Sequence, residues 1–266
     1  MRVLVTGHKG FIGSNLVRYI EDNTDWEIST YNLGDEFPGV IDQDWVIHIG
    51  AISSTTERDL DKVMKYNYDF TKNLFDNCKS FGINMQYSST ASLYGMGSDF
   101  RETAQLDPRT PYAWSKYLCE RHHRLNQGGN VVQGFRYFNV YGNNEDHKGG
   151  QGSPVTQFSK QDPVKLFENS ENYLRDFIAV EDVCRVHVEF VKRVRESGIW
   201  NVGTGVATSF KAVADLINHN QCTIPMPEIL KSNYQKYTCA DISKLESTLG
   251  PQTWIGLEEW LDKYKL

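Results

Sequence analysis

The first apolar segment of the chain runs directly into a cluster of three glycines, and this junction restricts the fold more than any other feature. The run RVLVTG (2–7) predicts a buried strand, and FIGSNLVRYIED (11–22) has apolar residues at helical spacing. Between them, Gly7, Gly10 and Gly13 form the pattern GxxGxxG. In such a turn the glycines permit a tight bend, a close approach of backbone to a pyrophosphate, and packing of helix on strand. The junction predicts a dinucleotide-binding βα unit.

Strand and helix patterns alternate up to about residue 140. Strands are predicted at 26–31, 45–51, 83–89 and 131–139, and helices at 57–79 and 111–127. Shorter patterns follow, with strands predicted at 163–167, 175–180 and 199–203 and helices at 181–195, 209–219, 241–249 and 257–264. Alternation of this kind is typical of a parallel sheet with helices on both faces. We expect an α/β fold: a Rossmann-like, doubly wound sheet in 1–142, to which some later segments return, and a smaller mixed α/β lobe in 143–266 that mainly binds substrate.

Charge, hydropathy and cysteine content argue against several classes of protein. The 266 residues carry a net charge of −6 without a basic block, which argues against nucleic acid as a partner. We expect no membrane partner, because no apolar run approaches the roughly 20 residues that a span needs. The first residues already belong to a strand, so we expect no signal peptide. The five cysteines lack metal-like spacing, which predicts reduced thiols, no metal site and a cytoplasmic location.

The identity of the dinucleotide depends on the residues that follow the second predicted strand. An acidic residue at the end of that strand would favour NAD, but Tyr31 and Asn32 stand there. Lys9, inside the glycine loop, is a candidate contact for the 2′-phosphate of NADP. Against NADP, residues 26–44 contain neither Lys nor Arg, and Asp35 lies among them. We predict NADP as the cofactor, with NAD as the alternative.

A tyrosine and a lysine four residues apart indicate acid–base chemistry beside the cofactor. Tyr112 and Lys116 share one face of the predicted helix 111–127. A neighbouring ammonium stabilises a phenolate and would lower the pKa of the tyrosine, which could then move a proton on or off a sugar hydroxyl. The segment SSTASLYG (88–95) supplies hydroxyls nearby, of which Thr90 is our choice, with Ser89 as the alternative. The competing interpretation is a packed tyrosine beside a surface lysine.

A second lysine lies in the glycine-rich segment FNVYGNNEDHKGGQGSPV (138–155). Glycines at 149, 150 and 152 would let this segment fold over a ligand. Lys148 is therefore either an ordinary surface charge or an amine held where chemistry needs it.

Several motifs together resemble one enzyme family over nearly the whole chain. TGHKGFIG, SSTASLYG, YAWSK and RYFNVYG are similar to the motifs of extended short-chain dehydrogenase/reductases that modify nucleotide sugars. The segments at 50–59, 136–149, 165–177, 201–216 and 234–241 resemble the ADP-glycero-manno-heptose 6-epimerase branch in particular, which produces a lipopolysaccharide precursor. The HKG element is the most specific of these features.

The resemblance implies a mechanism and a set of site residues. NADP would oxidise the heptose at C6, the ketone would turn in the site, and hydride would return to the other face. Tyr112 and Lys148 would handle protons on opposite faces, with Thr90 and Lys116 assisting. The implied cofactor contacts are Gly7, Lys9, Gly10, Phe11, Ile12, Gly13, Asn32, Gly50, Ala51, Ser53, Asn67, Tyr112 and Lys116. The implied substrate contacts are Thr90, Asn139, Lys148, Gln157, Phe167, Ser170, Arg175 and Tyr234. A guanidinium suits a diphosphate, although a salt bridge of Arg175 to Asp176 or Glu181 is the alternative.

The chain departs from the family pattern at three places. Residues 32–44 are too few for the further strand and helix of the family, which predicts a sheet one strand short. Gly150 replaces a serine after HKG, and Gln157 replaces a histidine that binds the diphosphate. Relatives pair through helices that flank the sheet, so we expect a homo-oligomer.

Other functions on the same fold stay open. A 4-epimerase needs Tyr112 alone, since a 4-keto sugar can rotate. A 4,6-dehydratase would need an Asp-Glu pair after Thr90, where Ala91 and Ser92 stand. The third alternative is a dinucleotide-binding protein without enzymatic activity.

Overall fold

The structure is a computed structural model that describes residues 1–54, 57–231 and 234–264. Its central element, within these ranges, is a sheet of six strands that pair in parallel in the order β2-β1-β3-β4-β5-β9. The strands are β1 (Arg2–Thr6), β2 (Glu27–Tyr31), β3 (Trp45–His48), β4 (Asn84–Thr90), β5 (Val132–Tyr137) and β9 (Gly198–Val202). The predicted doubly wound parallel sheet is confirmed.

Helices cover both faces of this sheet and bury its apolar side chains. They are α1 (Phe11–Asn23), α3 (Phe70–Phe81), α4 (Pro111–Leu125) and α6 (Val180–Arg193). α1 and α6 pack on one face, where Leu16 and Val188 join Val5 of β1 in one core cluster. α3 and α4 pack on the other face, where Leu74 and Cys119 lie in a second cluster. Both faces are apolar because parallel strands are buried on both sides.

The predicted helix at 57–79 begins and ends later than expected and has three parts. α2 (Leu60–Val63) leads into a π-helical turn (Met64–Asp69), which continues into α3. The turn carries Asn67, whose side chain is fully buried. A π-helical turn inside a helix often lies at a functional site, because it redirects the side chains of one turn.

The sheet ends at β2, as the short connection after it suggests. β2 pairs with β1, and β1 pairs on its other side with β3. Residues 32–44, all described, form neither a strand nor a helix. β2 is therefore an edge strand, and its last residues lie beside the glycine loop: the amide of Gly7 donates to the carbonyl of Tyr31 at 2.7 Å.

A second layer of short elements lies mainly in the later part of the chain. Its strands are β6 (Asn139–Tyr141), β7 (Val164–Phe167), β8 (Leu174–Ala179), β10 (Ala207–Ser209), β11 (Gln221–Ile224) and β12 (Tyr237–Thr238). β8 pairs in parallel with β6 and β12 and antiparallel with β10, while β7 pairs with β11. The short strands β6, β10, β11 and β12 carry too little periodicity to be found from sequence. The mixed character of this layer is confirmed, whereas a division of the chain at residue 142 stays a prediction.

Three helices of the second layer pack on its strands around one apolar cluster: α5 (Pro154–Ser159), α7 (Phe210–Ile217) and α10 (Leu257–Tyr264). Two further helices of this part of the chain are α8 (Glu228–Lys231) and α9 (Ser243–Leu249), and α9 packs on the central sheet, where its Leu245 and Leu249 join Trp200 of β9. Val155 of α5, Val213 of α7 and Trp260 of α10 share a core with Phe177 of β8. Throughout the described ranges, no helix combines the length and the apolar character that crossing a membrane requires.

Candidate active site

The glycine loop between β1 and α1 packs tightly against the turn that follows β3. Gly7 has a φ of +80°, a conformation that glycine adopts without strain. A Cβ on Gly7 would lie 2.5 Å from the Cα of Gly50. A Cβ on Gly13 would lie 2.1 Å from the carbonyl oxygen of Gly7. Glycine is therefore needed at Gly7 and Gly13, because a side chain at either position would clash with neighbouring backbone.

A cavity of about 530 Å³, here called the loop cavity, opens in front of the glycine loop. α1 begins after Gly10 and has no side-chain cap, so amides of its first turn are left for water or a ligand. The predicted residues that line this cavity are Gly7, Gly10, Phe11, Ile12, Gly13, Asn32, Gly50, Ala51, Ser53, Tyr112 and Lys148. A bare backbone surface and an uncapped helix N-terminus fit the pyrophosphate of a dinucleotide.

A narrower cavity of about 200 Å³ continues from the loop cavity past the end of β2. Tyr31 and Phe70 lie in its wall and stack with their ring centroids 5.6 Å apart. His48 also lines it; burial lowers the pKa of His48 to about 3, with the charge of Lys116 as a lesser cause. The wall near neutral pH is therefore uncharged, and Tyr31, Tyr66 and Phe70 give it ring surface that suits a flat base.

Lys9 is engaged by an acidic residue. Its Nζ donates to both carboxylate oxygens of Asp35, at 2.7 and 3.0 Å. The same carboxylate accepts from the backbone amide of Asn32 at 3.1 Å, and Asn32 lines both cavities. The hydrogen bond from Lys9 holds the pKa of Asp35 below its usual value. A carboxylate thus stands beside the end of β2, and the lysine predicted to meet a 2′-phosphate is already paired.

The two predicted members of the tyrosine–lysine pair lie at different depths on α4. Tyr112 lines the loop cavity, with the Thr90 hydroxyl beside its phenol. Lys116 is 1% exposed, and its Nζ donates to the carbonyl of Ser88 at 2.8 Å and to its hydroxyl at 3.0 Å. The ammonium is therefore fixed beneath the cavity wall, at the end of β4.

The two candidate hydroxyls after β4 have different surroundings. Ser89 lines the loop cavity with Tyr112, but it is buried and its hydroxyl donates to the carboxylate of Glu120 at 2.6 Å. Thr90 lies beside the phenol of Tyr112 and lines a neighbouring cavity. The choice of Thr90 over Ser89 stays a prediction.

Burial is the main cause of the pKa shifts of Tyr112 and Lys116. It raises the pKa of Tyr112, against the lowering effect of the hydrogen bond with Thr90. Burial also lowers the pKa of Lys116 to about 8. The expectation that the lysine lowers the pKa of the tyrosine is wrong for this state of the protein, because removal of the phenol from water outweighs any effect of an ammonium that is directed to Ser88.

The lysine of the glycine-rich segment is docked onto the protein. Lys148 lines the same cavity as Tyr112, and 24% of its side chain is exposed. Its Nζ lies 4.3 Å from the centre of the Phe11 ring and 3.3 Å from Oε1 of Glu145. Of the two interpretations left open by the sequence, an amine held at the cavity describes its position better than a free surface charge.

The loop that carries this lysine is held at a second point. Gln151 lines the loop cavity, and its Nε2 donates to the hydroxyl of Ser54 at 3.0 Å. Between Lys148 and Gln151, Gly149 has a φ of +52°, the left-handed conformation that favours glycine. The loop thus spans the cavity from Lys148 to the turn after β3.

A larger cavity of about 630 Å³, here called the outer cavity, lies next to the loop cavity. Tyr137 lines both, so the two spaces adjoin. The predicted substrate contacts that line the outer cavity are Thr90, Asn139, Gln157, Phe167, Ser170, Arg175 and Tyr234. The structure therefore gathers these seven residues around one space, while Lys148 lines the loop cavity.

Arg175 is held in the wall of the outer cavity by backbone and aromatic groups. Its guanidinium donates to the carbonyl of Leu174 at 2.8 Å and to that of Gln235 at 2.6 Å. It lies 5.4 Å from the ring of Phe210 and 5.3 Å from that of Tyr234. Burial lowers the pKa of Arg175, which nevertheless stays charged near neutral pH because its ordinary value is so high.

The carboxylates proposed as alternative partners of Arg175 have other partners. Asp176 accepts from the amide and hydroxyl of Thr204, at 2.8 and 2.7 Å. Glu181 accepts from the indole of Trp260 at 3.2 Å. The fixed, charged guanidinium therefore faces the outer cavity as a group suited to a diphosphate.

The buried side chain of Asn67 supports the backbone of the site. Its Oδ1 accepts from the amide of Ile52 at 2.7 Å, and its Nδ2 donates to the carbonyl of Ile52 at 3.0 Å and to the hydroxyl of Ser115 at 3.1 Å. Its amide is thus used inside the protein. Asn67 fixes the turn that carries Gly50 and Ala51 to α4.

Sequence reasoning missed several residues that line the two larger cavities. They are Ser88, Tyr137, Gln151, Lys165, Tyr173, Phe210 and Gln235. Most lie within the sequence motifs named above, in which neighbouring residues were predicted as site residues. Strand alternation offered a signal for Tyr137, because it lies two residues before Asn139, a predicted substrate contact, near the end of the strand.

The model of the NAD dependent epimerase/dehydratase family matches residues 3–203, which is more than half of the chain. The matched range contains the glycine loop, Tyr112, Lys148 and Arg175.

Solved structures with the same fold include several sugar-nucleotide enzymes. An ADP-L-glycero-D-manno-heptose-6-epimerase from Helicobacter pylori has a TM-score of 0.86 and 26% identity, over 99% of this chain and 94% of that one. A UDP-N-acetylglucosamine 4-epimerase from Methanobrevibacter ruminantium has a TM-score of 0.84 and 21% identity, over 99% and 98%. A UDP-glucose 4-epimerase from Thermus thermophilus, in complex with NAD, has a TM-score of 0.81 and 24% identity, over 100% and 99%.

Proposed function

The chain belongs to the NAD dependent epimerase/dehydratase family, and on that premise we propose that it inverts one carbon of a nucleotide sugar, with C6 of ADP-glycero-manno-heptose as the favoured position. The resemblance to extended short-chain dehydrogenase/reductases found in the sequence is confirmed by this family match. The observation that carries the finer proposal is the placement of Tyr112 and Lys148 in the wall of one cavity. The heptose epimerase of similar structure supports the choice of sugar.

The loop cavity would hold the dinucleotide. Gly7, Gly10 and Gly13 leave backbone exposed to a pyrophosphate, and the uncapped N-terminus of α1 favours its charge. The aromatic cavity beside Tyr31 would take the base. A nicotinamide dinucleotide supplies a reversible hydride acceptor at the sugar carbon.

The side chains around the loop cavity would move the protons. Tyr112 accepts the hydroxyl proton of the sugar as the carbon is oxidised, with the Thr90 hydroxyl beside its phenol. Lys116 contributes a buried positive charge at the end of β4, where Ser88 holds it, and does not lower the pKa of Tyr112 in this state of the protein. After the keto sugar has turned, Lys148 donates the proton to the carbonyl oxygen on the other face. With one proton-handling group on each face of the sugar, the reaction can start from either epimer.

For the cofactor we propose NAD rather than NADP. The preference for NADP rested on Lys9, whose Nζ is bound by the carboxylate of Asp35. That carboxylate stands beside Asn32, where it can accept hydrogen bonds from a ribose diol and would repel a 2′-phosphate. The similar UDP-glucose 4-epimerase, in complex with NAD, agrees with this choice.

The outer cavity would hold the nucleoside diphosphate of the substrate. Arg175 offers the charge and the planar donors that a diphosphate needs, and Lys165 adds a second cation to the same wall. Phe167 and Tyr234 offer ring surface for a base, with their centroids 6.0 Å apart. Asn139, near the boundary with the loop cavity, would meet the sugar. The homo-oligomeric state and the cytoplasmic location stay predictions.

Product analysis tests the proposal. The protein is incubated with NAD or NADP and with ADP-glycero-manno-heptose, UDP-glucose or UDP-N-acetylglucosamine, and NMR shows which carbon inverts. We expect inversion at C6 of the heptose, and a loss of about 10²–10⁴-fold for Tyr112→Phe and for Lys148→Met. Lys192→Met, an exposed lysine on α6, is the control and should keep full activity.

Each alternative has its own outcome in this assay. Inversion at C4 of a UDP-sugar that survives Lys148→Met would identify a 4-epimerase that uses Tyr112 alone. Loss of water would identify a dehydratase. Binding of the dinucleotide without any turnover of these sugars would favour a non-enzymatic protein.

A further inference from the structure

Glu145 places a buried carboxylate directly behind the loop that carries Lys148. Its side chain is 1% exposed, and it lies at the start of the loop, after β6. Neither the glycine pattern nor the tyrosine–lysine pair requires an acid here. A buried carboxylate is costly unless donors surround it, so its partners indicate what it does.

Three donors from the start of α5 bind this carboxylate. The amide of Ser153 lies 3.1 Å from Oε1, and its hydroxyl lies 2.5 Å from Oε2. The hydroxyl of Thr156 also donates to Oε2, at 2.5 Å. Oε2 is therefore fully engaged by hydroxyls, and the carboxyl plane is fixed against α5.

The remaining donor is the amine at the loop cavity. Nζ of Lys148 lies 3.3 Å from Oε1, and the amide of Lys148 donates to the carbonyl of Glu145 at 2.9 Å. The same Nζ lies 4.3 Å from the centre of the Phe11 ring. The amine is thus held between a carboxylate on one side and an aromatic face on the other.

We propose that Glu145 is a positioning residue for the proposed epimerisation: it anchors the loop to α5 and holds the Lys148 amine at the cavity wall that it shares with Tyr112. The inference rests on the proposed function, in which Lys148 donates a proton to the carbonyl oxygen of the turned keto sugar and takes another from solvent before the next turnover.

Two variants separate the two actions of Glu145, which are holding the Lys148 amine and anchoring the loop to α5. Glu145→Gln keeps the size of the side chain and removes its charge. Thr156→Val removes one anchoring hydrogen bond and leaves the Glu145–Lys148 contact. We expect Glu145→Gln to lower kcat about 10–100-fold, because a misplaced amine donates poorly, with KM within about threefold of wild type. Thr156→Val should stay within about threefold in both.

The placement of the lysine is read without turnover. An amine-selective reagent at limiting concentration, followed by peptide mass spectrometry, gives the labelling rate of Lys148 relative to Lys192. An amine that Glu145 no longer holds is more accessible to the reagent, so Glu145→Gln should label Lys148 faster than wild type, whereas Thr156→Val should match wild type. If Glu145→Gln does not fold, Glu145→Asp keeps the charge one methylene further away, and it should give an intermediate labelling rate and an intermediate kcat.

The double variant and the single lysine variant distinguish the possible failures. In a Lys148→Met background, Glu145→Gln should cause no further loss of epimerisation, since Glu145 acts through the lysine. Unchanged kcat and labelling in Glu145→Gln, an equal loss in both backgrounds, or an equal loss in Thr156→Val would each overturn the positioning role. Full epimerisation by Lys148→Met alone would instead refute the two-group mechanism of the proposed function, whatever Glu145 does.

Discussion

Nζ of Lys148 lies 4.3 Å from the centre of the Phe11 ring, so the glycine-rich loop is docked on the first residue of α1. Phe11 belongs to the glycine loop motif, and its side chain is buried in the core cluster that α1 forms with the sheet. One residue therefore connects the floor of the proposed dinucleotide site to the proposed second proton-handling group. A cation over an aromatic face contributes about 0.5–1 kcal/mol at a partly exposed site.

The variant Phe11→Leu should slow epimerisation by about two- to fivefold, because it keeps apolar volume but removes the aromatic face below the amine. The measurement is kcat in the wild-type and Lys148→Met backgrounds. The loss should appear in the first background and disappear in the second. An equal relative loss in both would mean that Phe11 matters for packing alone.

The variant Asp35→Ala should shift cofactor use toward NADP. Removal of the carboxylate releases Lys9 to meet a 2′-phosphate and removes a repelling charge at the end of β2. We expect the ratio of NADP to NAD affinity to rise by roughly tenfold at low salt, with a smaller effect at high salt because the groups are exposed. Fluorescence titration of the reduced cofactors gives both affinities.

The double variant Lys9→Ala/Asp35→Ala provides the control for this shift. It should lose most of the gain in NADP affinity, since the released lysine is its source. A wild-type protein that already prefers NADP, with no change in Asp35→Ala, would contradict the assignment of Asp35 as the residue that selects NAD.

The variant Gly13→Ala should weaken both folding and dinucleotide binding. Its Cβ would lie 2.1 Å from the carbonyl oxygen of Gly7, so α1 must move away from the glycine loop. Overpacking of this kind costs about 1–3 kcal/mol of unfolding free energy. Gly129→Ala, at an exposed position with no atom within 4 Å of the added Cβ, is the matched control and should leave the melting temperature and the cofactor affinity unchanged.

The variant Arg175→Met should raise the dissociation constant of the nucleotide sugar by roughly 10–100-fold, because a charge-assisted contact with the diphosphate is lost. The dissociation constant of NAD, measured in the same titrations, should stay within about twofold, since Arg175 lines the outer cavity. Arg193→Met, an exposed arginine of α6, is the control. Equal losses for both ligands would place Arg175 in general folding instead.

Local patterns in the sequence predicted the main sheet and most of its helices, because its strands are apolar or alternating and its helices are clearly periodic. The short strands β6 and β10, of three residues each, carry no such signal and exist through pairing with β8. The predicted substrate contacts came from motif resemblance and lie around one cavity. What the sequence could not predict was partner choice: Lys9 with Asp35, and Lys148 with Glu145, are pairings that depend on how loops fold back.

The burial of Lys116 predicts how the stability of the protein depends on pH. Its pKa is lowered to about 8 in the folded state, against 10.5 as the ordinary value. Between these values the unfolded chain binds a proton that the folded protein does not, so the free energy of unfolding rises with pH. Burial of the ammonium is costly below pH 8, and the cost is relieved as pH rises above the folded-state pKa.

Lys116→Met removes this titration while keeping the size of the side chain. Urea unfolding of the two proteins without cofactor, at pH 7 and at pH 9.5, should show wild type gaining about 2 kcal/mol relative to Lys116→Met as pH rises. Comparing the two proteins cancels the titration of the buried tyrosines and cysteines, which they share. Lys192→Met, which removes an exposed lysine, should show no such change. A gap between wild type and Lys116→Met that stays constant, or moves in the opposite direction, would mean that the ammonium is already well compensated by Ser88 in the folded protein.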